Sequence, residues 1–315
     1  MLCRRILALF LFFIWMSPSL LLAEAKAELD DDDDETFTHM IVRKDIQISN
    51  NIDEAAKKID VALSGEQVAK KPNLTHIVVR QRLDYEVGGN SSYNPYLDLR
   101  LSLPNLEKKW ALKFTSYDQD QVDRGINRNR LQTAPIRQTY GGDIGFFQKL
   151  GNINTEFQPR VEFQNGLQTS YILKFDSTVR YPHFNFFPEL QLFAKSDQGV
   201  GEFLALNTDF PISKTLVFSL INEEQYVDQD NVFSTNSGFR FGRDLNDSMN
   251  EMYALVFESS SRETYHLDRY TIEYGFTHKL LKNVIHYTLM PYLAFTRDVA
   301  FRGIPGLIVE VNVIF

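Results

Sequence analysis

Cysteine is all but missing from this chain: the one residue of its kind is Cys3, a few positions from the start. Everything downstream must therefore fold without a disulfide framework, and Cys3 lies too early to be the lipid-modified residue of a lipoprotein signal. Also missing, beyond the first two dozen positions, is any apolar run approaching the roughly 18 residues that a membrane-spanning helix needs. Positive charge is not in excess, since 33 Lys and Arg face 41 Asp and Glu for a net charge of -8, which argues against a nucleic-acid partner. Histidine is scarce: His39, His76, His183, His266, His278 and His286 are scattered, with no pair at metal-ligand spacing beside carboxylates. No nucleophile–histidine–carboxylate motif can be quoted, so neither a catalytic residue nor a metal or other cofactor is expected.

What is present begins with a compartment signal. Arg4 and Arg5 precede an apolar stretch over residues 6–15, and Ala23, Glu24 and Ala25 form a small-x-small cleavage pattern. Residues 1–25 are thus expected to be a secretory signal peptide, with Ala25-Lys26-Ala27 as an overlapping frame. Residues 26–50 read as an acidic, solvated tail, because residues 30–34 are all aspartate and Glu35 extends the run. Such a linear run lacks the spaced ligands and turn glycine of a calcium loop. Residues 51–72 carry the one helical pattern. Asn50 or Asn51 can cap it, Asp53 and Glu54 sit in its first turn, and Ile52, Ala55, Ala56, Ile59, Ala62 and Leu63 form a stripe before Pro72.

From residue 73 to 315 the period changes to two. Segments of about ten to thirteen residues alternate apolar and polar positions between turn signals. The expected strands are 75–87, 93–103, 109–119, 137–148, 153–163, 169–180, 184–195, 200–210, 214–226, 233–243, 249–260, 266–278, 283–296 and 306–315. The count is fourteen, or twelve if a pair around 200–243 is misread. Alternate connections are short, and the opposite set is mostly longer and more polar. The longest, residues 120–136, carries Arg124, Arg128 and Arg130 and is expected outside the wall. Gly141 and Gly142 fall within a strand, where they are expected to mark a bend or bulge.

The chain closes on GLIVEVNVIF, in which Leu307, Val309, Val311, Val313 and Phe315 share one face while Glu310 and Asn312 share the other. An alternating strand ending on a terminal aromatic, preceded by strands joined by short and long connections in turn, resembles the outer-membrane β-barrels of Gram-negative bacteria. The likeness extends over about residues 73–315 to porin-like monomeric barrels of twelve to fourteen strands. It implies an all-β antiparallel transmembrane barrel in the outer membrane, with lipid outside and a polar lumen. It also implies that Val311, Val313 and Phe315 form the signal read by the barrel assembly machinery.

On that reading Arg80, Arg82, Asp84, Glu86, Asp98, Arg100, Lys113, Arg160, Glu162, Lys174, Asp176 and Glu310 face the lumen as pore-lining residues. The group formed by Arg80, Arg82, Asp84 and Glu86 beside Asp98 and Arg100 is the candidate constriction. The expected function is a channel for small hydrophilic solutes, and a monomer is favoured. The alternatives are a closed structural or adhesive barrel that binds a partner through its external loops, and an outer-membrane lipid hydrolase in which His286 meets Glu310.

Overall fold

A computed structural model of the chain describes residues 50, 54, 57, 58, 61 and 76–315, apart from 90, 103–109, 119–121, 123, 130, 132, 134, 135, 137, 164, 165 and 281–283. The chain divides after Gln47, and only the second unit, Ile48–Phe315, carries described residues. The expected signal peptide lies outside them, as does the acidic tail up to Ile48 and Ser49. Of the expected helix, Glu54, Lys57, Lys58 and Val61 have helical backbone, as does Asn50 just before it, and the rest lies outside the described residues.

Fourteen strands follow, each joined to the next by antiparallel pairing: β1 (His76–Glu86), β2 (Ser92–Ser102), β3 (Trp110–Thr115), β4 (Tyr140–Leu150), β5 (Ile153–Phe163) and β6 (Leu167–Ser177, resuming at Val179–Arg180). The second half contains β7 (Asn185–Lys195), β8 (Gly199–Pro211), β9 (Leu216–Val227), β10 (Val232–Asp244), β11 (Met249–Ser260), β12 (His266–Leu280), β13 (Ile285–Thr296) and β14 (Gly303–Ile314). The ring closes because β1 pairs with β14, from Val78 opposite Ile314 to Glu86 opposite Gly306. Phe315 completes the seam: its N–H donates to the Ile77 carbonyl at 2.9 Å and its carbonyl accepts from Ile77 at 3.0 Å. Among the described residues each of the fourteen strands is paired with a neighbour on both sides.

Local chemistry explains the tight turns. Gly151 supplies the positive φ, +63°, that a two-residue hairpin between Leu150 and Ile153 requires. Asn246 closes the β10–β11 turn, its Oδ1 accepting from the backbone N–H groups of Ser248 and Met249. Ser213 does the same between β8 and β9, with Oγ accepting from Thr215 and Leu216.

Period-2 alternation gives the wall two unlike faces. Along β14, Leu307 is 37% exposed whereas Ile308 is fully buried. Exposed large apolar side chains recur round the circumference, among them Leu83, Leu97, Phe114, Ile144, Phe157, Leu192, Phe239, Ile272 and Leu289. At the end carrying the C-terminus, Tyr181, Phe184, Phe210, Phe218 and Phe241 stand in a row of neighbouring rings. Phe257, Tyr270 and Phe295 do so at the opposite end. An apolar belt on all sides between aromatic girdles is a surface made for lipid.

Three expectations change. Strand β3 stops at Thr115 rather than residue 119, because Tyr117 and Asp118 leave the ladder and become buried. The sixth strand is interrupted at Thr178. Gly141 and Gly142 mark no bulge, since the β4 register runs on unshifted at both. A side chain at Gly141 would start 2.6 Å from Arg160 Nη2, so the glycine makes room for a guanidinium lying across the strand.

Glu224 is a misfit in the belt, exposed on the outer face of β9 two residues from Tyr226. Nothing in the structure accounts for it. Replacing it, Glu224→Leu, should stabilise the folded barrel in phospholipid vesicles by about 1 kcal/mol, measured by reversible denaturant unfolding. An unchanged or lowered stability would mean that this face does not meet lipid.

Candidate functional site

Every residue expected to line the lumen stands on the inner face, and nearly all have partners there. Arg80 Nε donates to Asn312 Oδ1 at 3.1 Å and faces Glu310 at 3.5 Å. Arg82, fully buried, holds Asp84 on its own strand at 2.6 Å. Glu86 accepts from the Tyr292 hydroxyl at 3.1 Å. Asp98 accepts from the Tyr117 hydroxyl at 2.9 Å, with Lys113 at 3.9 Å. Arg100 lies over the Phe147 ring, and Lys174 reaches across to Glu189 at 3.4 Å. Asp176 accepts from Asn154 Nδ2 at 2.9 Å. The charged half of the wall is therefore a mesh of ion pairs running from β14 through β1 to β7, each carboxylate set where a cation or donor meets it.

Arg160 ties this mesh to the loop after β3. It is only 4% exposed and is neutralised by Asp143, at 3.2 Å, and by Glu162. Its Nη2 donates to Thr115 Oγ1 at 2.7 Å and to the Tyr117 carbonyl at 3.3 Å. The chain is thereby turned inward at the point where β3 ends. Tyr117 then packs edge-on against Tyr96, 5.8 Å between ring centres, with the Arg80 guanidinium over its ring at 5.6 Å.

The loop expected outside thus runs inside, as far as its described residues show. Arg124 donates to Gln225 on β9 and lies over the Phe203 ring on β8. The Ile126 N–H donates to Glu223 on β9, whose Oε1 also accepts from Asn207 at 2.7 Å. Gly125, at φ +52°, passes so close to Glu223 and Phe203 that any side chain would collide with both. Ile126 packs into Ile221, Ala254 and Val256 of the inner wall. Leu131 lies against Met290, Tyr292, Ala294 and Ile308. Ile136 returns to Tyr96 and Tyr117. From β3 to β9 and back by way of β13, the segment crosses the lumen, seated on apolar patches that only a covered inner face could carry.

Sequence reading missed this seat. The signal was there, in large apolar residues at inward positions: Ile221, Val256, Met290 and Ile308 interrupt a face that water alone would leave polar. Asp143 and Glu223, carboxylates that anchor the mesh and the loop, were not expected either. The register sets Thr288 opposite Glu310, whereas His286 stands opposite Asn312. Among the described residues no cluster of His, Cys, Asp and Glu is arranged to hold a metal ion.

A closed antiparallel ring with lipid-ready outer surface and charged interior defines an outer-membrane β-barrel protein. No protein-family model and no curated protein matches the sequence. Among solved structures the chain is similar to the KdgM porin in complex with disordered oligogalacturonate, at 8% identity and TM-score 0.39 over 75% of this chain and 98% of that one. It is similar to a loop-deletion form of OmpT, an outer membrane protein of Vibrio cholerae, at 7% identity and TM-score 0.46 over 78% and 99% of the two chains. It is also similar to OccAB4 of Acinetobacter baumannii, at 8% identity and TM-score 0.45 over 78% and 98%. These likenesses are loose, and the class rests on the ring and its two faces.

Docking of the loop makes a direct prediction. Trypsin should leave Arg124 uncut in the folded protein, while Gly125→Val, which cannot approach Glu223, should expose it to cleavage in an otherwise intact barrel. Equal protection of both proteins would show that the close approach at Gly125 does not hold the loop.

Proposed function

We propose that this protein is a channel for small hydrophilic solutes, narrowed part-way along its lumen by the segment between β3 and β4. The observation that supports this most is the crossing of the lumen by that segment, held at Tyr117, Arg124 and Ile126, opposite a wall whose charges are already paired. A ring of about eight strands only just accommodates its own side chains, so fourteen enclose room for both a loop and a water-filled path. The ion-pair mesh keeps the charged wall rigid, and the loop sets the size limit. Val311, Val313 and Phe315 serve as the signal for the assembly machinery, with Phe315 at the seam where the ring must close.

In planar bilayers the refolded protein should give discrete conductance steps, and deleting residues 119–135 should enlarge them. Arg100→Glu should move the reversal potential in a salt gradient toward cation selectivity. Correctly folded protein that leaves bilayers silent, before and after loop deletion, would overturn the channel reading.

A further inference from the structure

Four adjacent strands place hydrogen-bonding side chains on one rung of the inner wall. Asn250 on β11 stands opposite Thr277 on β12, Thr277 opposite Thr288 on β13, and Thr288 opposite Glu310 on β14. The Thr277 and Thr288 hydroxyls are 3.0 Å apart, so each keeps capacity for another bond. Glu310 is 3% exposed. Its Oε1 accepts from Asn312 Nδ2 at 3.0 Å, while its Oε2 is buried without a hydrogen-bond partner among the described residues.

The neighbouring rung is apolar. Met252 stands opposite Gly275, and Met290 opposite Ile308. Leu131 of the inward loop packs against this group. The two rungs and the loop bound a cavity of about 220 Å³, with Arg80 and Arg82 at its edge.

Glu310 Oε2 is buried too deeply for a guest to reach, and Arg82 stands directly across from Glu310 on the neighbouring strand. Arg80 is paired with Glu310 and Arg82 with Asp84, so the edge offers balanced charge and a charged guest would be desolvated there without a counter-charge of its own. What remains is an uncharged molecule rich in hydroxyls, with a C–H face to lay on Met252, Met290 and Leu131. We infer that this cavity binds a neutral polyhydroxylated solute of monosaccharide or alditol size, its hydroxyls exchanging bonds with Thr277, Thr288 and Asn250. The inference rests on the channel reading for the route by which the solute arrives, and it makes passage of such solutes saturable.

The test is calorimetric titration of the refolded full-length protein in detergent micelles with glucose and mannitol, using gluconate and glucosamine as charged counterparts. Saturable binding of a neutral polyol is expected, with either charged analogue at least about tenfold weaker. Thr288→Val, which keeps the shape and loses one hydroxyl, should weaken binding about fivefold. Gly275→Leu, whose side chain starts 3.1 Å from Met252 and fills the cavity, should abolish it. Heat-modifiable gel mobility establishes that each variant is folded. No saturable binding of either neutral polyol, charged analogues that bind as well, or folded variants that bind unchanged would overturn the inference. Conductance of the same preparations separates the two readings. Conducting protein that binds no polyol keeps the channel and removes the site, whereas binding by protein silent in bilayers keeps the site and removes the channel.

Discussion

A sheet in lipid cannot have an edge, because each unpaired backbone N–H or C=O would stand in hydrocarbon with nothing to bond to. The seam between β1 and β14 is where this chain meets that demand, and Phe315, the last residue, makes the final pair of hydrogen bonds to Ile77. Every other feature depends on the closure. It fixes which residues of each strand look outward, and so forces Leu307, Val309 and their counterparts on thirteen other strands into a continuous apolar belt. It brings Arg80 from the first strand beside Glu310 and Asn312 from the last, a contact that an open sheet would lack.

Closure at fourteen strands also creates a space that side chains from the wall do not fill by themselves. The chain fills it unevenly. From β1 to β7 the inner face is charged and braced by cross-strand pairs. On β9, β11, β13 and β14 it carries Ile221, Val256, Met290 and Ile308, which would be costly in contact with water. The loop after β3 answers that second face with Ile126 and Leu131. Arg160 directs the loop inward at its root and needs Gly141 beneath it, so a wall glycine, a buried cation and a lumenal segment form one mechanical unit.

Much of this was legible beforehand, for a physical reason: a wall with lipid on one side and polar groups on the other imposes strict alternation, and alternation survives in the sequence. The strands at residues 153–163 and 249–260 coincide with the expectation to the residue. The loop was not legible in the same way. Arg124, Arg128 and Arg130 give residues 120–136 the composition of an external loop, and direction is set by contacts with residues about a hundred positions away, such as Arg124 with Gln225. The ladder sets His286 opposite Asn312, two residues from Glu310, an offset that only the full register fixes.

This loop lies across the lumen, seated on the inner wall by Ile126. Downstream of Cys3 the chain has no cysteine, so a designed pair can be read without interference. The most direct measurement is disulfide formation between Ile126→Cys and Val256→Cys in the protein folded in vesicles, detected by the mobility of a proteolytic fragment with and without reductant. Rapid, near-complete bridging under mild oxidation, with single-cysteine forms unbridged, is the predicted result. A pair that stays reduced in a folded barrel would contradict it.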